Sequence, residues 1–188
     1  SVSSVISTSS MLSTIASTSS PSYTSIMTTH YIGKDIIGQF GGLFYALKTG
    51  KKADTDSLKY ITKGVSALQL SFFIENLSPL ITNKLFILPF LGFSSTLKNI
   101  SFISIGAVNA KNLQKLSNNN IGECYSKSAS INTISSTLGM ICGIGIIHFI
   151  PSYTIRTTLI LPTMSIISIY SLRKATKIAE EITHTETK

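Results

Sequence analysis

Charge is what this sequence has least of: Asp, Glu, Lys and Arg make up 13% of 188 residues, with 8 acids against 16 basic residues. Soluble domains carry about twice that share, so the deficit argues for a bilayer or for burial inside a larger assembly. Cysteine is nearly absent as well. Cys124 and Cys142 form no C-x-x-C and have no histidine at metal spacing, which leaves two free thiols and no disulfide framework or zinc site. Enzyme signatures are missing too: there is no G-x-x-x-x-G-K-[ST], no G-x-G-x-x-G after a strand, no H-E-x-x-H and no G-x-S-x-G. Nothing in the chain calls for a catalytic residue, cofactor or metal, so a non-enzyme is expected.

The net charge of +8 sits at the ends of apolar segments and not in a continuous stripe. Lysines flank membrane helices in this way, reaching toward headgroups. No basic run is interleaved with stacking aromatics, so nucleic acid is not an expected partner. Membrane lipids are. The mean hydropathy of +0.33 agrees.

Residues 1 to 29 hold no charge, and 18 of the 29 are Ser or Thr. This Ser/Thr-rich N-terminal arm, residues 1–30, is read as lying along a neighbouring subunit of a membrane complex. A cleaved presequence is expected to have preceded it, because organellar presequences are rich in Arg and the arm has none. Residues 31–178 form the helical membrane domain, and 179–188 a polar tail.

From Gly33 to Leu47 an apolar stretch carries Asp35, Gly38, Gln39 and Gly42 on one helical face. At about 15 residues it is too short to cross a bilayer and is expected to be re-entrant or to lie at the interface. Gly38 and Gly42 make a G-x-x-x-G pair, as do Gly139 and Gly143; such pairs let helix backbones approach closely. The two pairs are expected to pack on each other. Asp56 and Ser57 cap the next helix, which runs to Pro79 and holds Glu75 in its apolar half. An acid there is costly unless it is paired or solvated. Asp35, Gln39 and Glu75 are therefore the candidates for a polar pocket, the plainer alternative being that Glu75 bonds a neighbouring hydroxyl or lysine.

From Lys84 to Leu116 the chain is apolar again, and a break is expected near Lys98-Asn99, an expensive pair at the centre of a bilayer. Ser117 to Gly122 reads as a loop. Ser128 to Ile155 then runs 28 residues without formal charge, enough for a span. His148 within it reads as a core residue. Ile155 to Leu172 is a further span with a kink near Pro162, followed by Arg173, Lys174 and Lys177. These, with the lysines around Lys48 to Lys63, place both ends on the cytoplasmic or matrix side. The fold class expected is an all-α integral membrane protein with about four to six apolar helices, some re-entrant.

The run Lys34-Asp35-Ile36-Ile37-Gly38-Gln39-Phe40-Gly41-Gly42 resembles the opening motif of the root UVB-sensitive protein family. Asp54, Asp56, Glu75 with Ser78-Pro79-Leu80, Leu97 to Ser101 and Asn119 to Glu123 follow in the family's order across residues 31 to 178. The chain has Val108-Asn109 where the family usually has Thr-Arg, and Ser126 to Ile131 where Ala-Lys-Glu-Gly-Ser-Gln is customary. The resemblance implies helical membrane architecture, residence in an organelle and a link to vitamin B6 homeostasis. Two functions are then expected in competition. One is a non-catalytic accessory subunit of a larger organellar membrane complex such as a respiratory complex or ATP synthase, expected in the mitochondrial inner membrane. The other is a carrier or cofactor-homeostasis membrane protein with Asp35, Gln39 and Glu75 in its pocket; a soluble helical scaffold is third.

Overall fold

The structure is a computed structural model that describes residues 21–49, 55–81, 84–117, 120–150 and 152–186. Among the described residues there are five long helices and no strand: α1 (Pro21–Thr49), α2 (Ser57–Leu77), α3 (Lys84–Leu116), α4 (Ile121–Phe149) and α5 (Leu161–Glu186). Three helical stretches, Phe86–Leu116, Ile121–Phe149 and Tyr153–Ala179, are long and apolar enough to cross a membrane. The outward face of α1 is also apolar, with Ile36, Phe40, Leu43, Phe44 and Leu47 exposed at helical spacing. An all-helical surface of this kind suits lipid and not water.

α1 is longer than the 33–47 stretch. It starts at Pro21, whose fixed φ and missing N–H suit a first helical position, and no proline interrupts it afterwards. It thus begins inside the Ser/Thr-rich arm; residues 1–20 of the arm lie outside the described residues, and with them its expected contact with a neighbouring subunit. α2 opens as expected: the Asp56 carboxylate accepts a hydrogen bond from the Lys59 N–H at 3.2 Å. It closes in a 3₁₀ turn at Ser78–Leu80, where Pro79 stops the ladder.

α3 is unbroken, in place of the interruption expected near Lys98. Lys98 is not a lone charge there, because it is paired with Glu75, and this removes the reason for a break. Asn120 occupies the position before α4, so the loop ends two residues earlier than its sequence suggested. α4 ends at Phe149, and a single α turn, Tyr153–Ile155, then leads through a π stretch, Arg156–Ile160, into α5. The Leu161 N–H bonds the Arg156 carbonyl five residues back. The wider π turn lies immediately ahead of Pro162, where the proline would otherwise crowd the preceding carbonyls. A π stretch therefore stands where a kink was expected.

Contacts between helices fix their directions. Leu88, Ser95 and Ser104 of α3 meet Gly33, Gly38 and Tyr45 of α1 in rising order, so α1 and α3 run parallel. Lys111, Ser104 and Ser94 meet Ser57, Gly64 and Ser71 of α2, which is therefore antiparallel to α3. Ser165 of α5 bonds Gln69, and Tyr153 bonds the Asn76 carbonyl, so α5 is antiparallel to α2 in turn. α3 is thus clasped between α1 and α2, with α5 on the free side of α2. The core is built from Tyr60, Ile61 and Val65 of α2 with Val108 of α3.

Small residues make these approaches possible. A Cβ at Gly38 would lie 2.7 Å from the Ser95 Cβ, and one at Gly42 would lie 2.8 Å from the Asn99 Cβ. The glycine pair of α1 therefore packs on α3, and not on Gly139 and Gly143 as expected. α4 stands apart from the other helices: almost none of its apolar window is buried, and among its residues only Gly143 is enclosed. His148 is accordingly exposed, contrary to its expected place in the core, with its ring edge-on to Phe149 at 5.3 Å.

Candidate functional site

Helix α3 carries an unusual density of buried polar side chains for an apolar helix. Ser94, Ser95, Ser101 and Ser104 are all buried, and each hydroxyl is small enough to keep the neighbouring helices close. Ser94 donates to the Ser71 carbonyl of α2 at 3.0 Å, and Ser95 donates to the Asp35 carboxylate of α1 at 3.4 Å. Serine at such positions bonds across the helix interface at little steric cost.

The strongest feature lies one turn further along. Lys98 Nζ is 2.5 Å from Glu75 Oε1, and the carboxylate side chain is only 2% exposed. The same ammonium lies 5.3 Å from the centre of the Phe72 ring, near enough for a cation–π contact. Glu75 of α2 and Lys98 of α3 therefore form a charged pair inside the bundle. On α1, Lys34 is buried with its Nζ 3.7 Å from the half-exposed Asp35 carboxylate.

The three expected pocket residues are thus distributed around α3. Asp35 meets α3 through Ser95 on the α1 side, and Glu75 meets it through Lys98 on the α2 side. Gln39 is exposed on α1. Neither of the two described surface cavities includes any of the three. Lysine as the partner of Glu75 matches the plainer of the two readings of that residue. What sequence reasoning did not single out was which lysine. The available signal was that Glu75 is the one acid of α2 and Lys98 the one charge in the apolar middle of α3, each expensive alone.

Around this pair α2 is tied to every neighbour. Its Gln69 Oε1 accepts from Ser165 of α5 at 2.8 Å, and the Tyr153 hydroxyl donates to its Asn76 carbonyl. At the opposite end Lys111 of α3 donates to Ser57 at 2.7 Å, and Tyr60 stacks on Tyr45 with ring centres 6.0 Å apart. Burial holds the Tyr60 phenol above its ordinary range, partly opposed by the Thr49 hydroxyl 3.4 Å away.

Antiparallel pairing also gathers charge. The C-terminal ends of α1, α3 and α5 and the N-terminal end of α2 lie at one end of the bundle. This brings together Lys48, Lys59, Lys63, Lys111 and Lys115 with Arg173, Lys174 and Lys177. A groove of about 700 Å³ opens there between Leu58 and the α5 residues from Ile166 to Glu181.

Together these features define an all-helical membrane protein with a buried ion pair at its centre and a basic end. The chain belongs to the family described as the vitamin B6 photo-protection and homoeostasis domain, whose model matches residues 1–180. This is the family suspected from the Lys34 to Gly42 motif, and the match extends over the Ser/Thr-rich arm as well. No curated protein and no solved structure matches the chain.

Proposed function

We propose that the protein handles a small polar cofactor of the vitamin B6 class at an organellar membrane, binding or carrying it without chemical change. The buried Glu75–Lys98 pair carries this reading. A fold kept only for packing gains little from such a pair, because apolar side chains of similar volume are often as stable or more so. A charged pair retained among apolar helices is better suited to meeting a polar ligand or proton. The family match supplies the ligand class.

Reconstitution into liposomes tests the proposal. Saturable uptake or binding of pyridoxine or pyridoxal 5′-phosphate is expected for the unaltered protein, with loss in Glu75→Gln while helical content is retained. Absence of any saturable signal, or full activity in Glu75→Gln, would refute it. In the structure the accessory-subunit reading draws on the exposed apolar faces of α1 and α4, which lipid covers equally well. Organelle residence rests on the family resemblance, and cell fractionation tests it.

A further inference from the structure

We propose that the groove at the basic end of the bundle is a binding site for an anionic phospholipid. Its apolar wall is made by Leu58 of α2 with Ile166, Ile169 and Tyr170 of α5. Its rim is basic: Arg173, Lys174 and Lys177 follow on the same helix, one to two turns further on. Positions 166, 170, 173, 174 and 177 recur at three- and four-residue spacing, so they lie along one face of α5. That face changes from apolar to cationic at the end of the Tyr153–Ala179 span. A lipid makes the same change, from acyl chain to phosphate.

Ile166 and Tyr170 are 68% and 65% exposed, so the protein leaves this wall uncovered. Among the described residues one acid lines the site, Glu181, whose carboxylate is 3.8 Å from Lys177 Nζ. That contact partly neutralises Lys177, leaving Arg173 and Lys174 as the principal phosphate ligands. Arg presents a planar fork to phosphate oxygens, and Lys a mobile point charge. A soluble anion would find the same cations but would leave the apolar wall wet. A phospholipid satisfies both, and basic recesses between helices on the cytoplasmic or matrix side take anionic headgroups in this manner.

The test uses the full-length protein in a neutral detergent, titrated with phosphatidylglycerol, phosphatidylcholine or inorganic phosphate. Bound lipid is read by native mass spectrometry, and Tm by intrinsic fluorescence. Phosphatidylglycerol is expected to bind and raise Tm. Replacement of Arg173, Lys174 and Lys177 by Gln is expected to weaken that binding by about tenfold to a hundredfold. Lys127→Gln, on α4, removes an exposed charge outside the groove and is expected to leave binding unchanged. Ile166→Asn keeps the cations and is expected to weaken phosphatidylglycerol binding; unchanged binding in it would overturn the apolar wall. Equal weakening by Lys127→Gln would reduce the effect to net charge and overturn the site. So would equal stabilisation by inorganic phosphate or phosphatidylcholine, or unchanged binding in the triple variant. None of these readouts involves a B6 compound, so the outcome is separable from that of the proposed function.

Discussion

Separating the contributions of Glu75 and Lys98 gives the sharpest check on the buried pair. At 2.5 Å and an effective dielectric constant of about 20, two unit charges attract by about 7 kcal/mol. Desolvation offsets much of this, and the Lys98 side chain keeps 25% of its surface exposed. Breaking a buried pair by removing one partner costs about 3–5 kcal/mol, and this partial exposure puts the expectation at about 3 kcal/mol. Glu75→Leu strands a lysine in the bundle, and Lys98→Met takes the lysine from a carboxylate that is nearly completely enclosed. Each single variant is therefore expected to lose about 3 kcal/mol, roughly a hundredfold in the folding equilibrium. The double variant is expected to lose no more than either single one, since no unpaired charge remains. Reversible unfolding in mixed micelles by SDS titration, followed by circular dichroism, measures all four corners of the cycle. Additive losses would show that the two side chains do not interact and would remove the ground for assigning this pair a role.

The remaining predictions concern packing, titration and topology. Gly38→Val places its Cβ within 2.7 Å of Ser95 and is expected to destabilise by about 1–3 kcal/mol, whereas Gly106→Ala has open space within 4 Å and should stabilise by about 0.5–1 kcal/mol. Thermal unfolding of both variants checks the contrast in sign. The raised Tyr60 pKa means that the folded state holds the phenolic proton more tightly than the unfolded chain does. Its contribution is therefore complete below the unfolded value of about 10 and is lost as pH rises through the higher folded value. Tm is expected to fall over that window, and Tyr60→Phe to flatten the fall. In a background without Cys124 and Cys142, Lys63→Cys and Lys174→Cys should react with a membrane-impermeant maleimide from the same side of a sealed vesicle. Labelling from opposite sides would refute the shared basic end.

Local features of the sequence carried much of the architecture. Asp56 marked the start of α2, Pro79 its end, and the charge-free run after Ser128 a long apolar helix. Each depends on neighbours within a turn or two, so it is legible in one dimension. The errors came where a residue's partner lies far along the chain. Lys98 looked too costly for an unbroken helix because Glu75, 23 residues away, was not counted beside it. The candidate site was legible in part: Glu75 stood out as a buried acid, while Asp35 meets α3 at Ser95 from the α1 side and Gln39 is exposed.

By itself the sequence determined the class of protein and its family. Low charge, apolar helices and the Lys34 to Gly42 motif are properties of composition and short-range order, and no tertiary contact is needed to read them. Only the tertiary structure decided which helices meet: Gly38 and Gly42 on Ser95 and Asn99, Glu75 on Lys98, and Leu58 beside Arg173. Among lipid-facing helices burial of apolar surface does not choose partners, because lipid is as apolar as a side chain. Close fit and buried polar bonds choose instead, and both depend on residues that the sequence holds far apart.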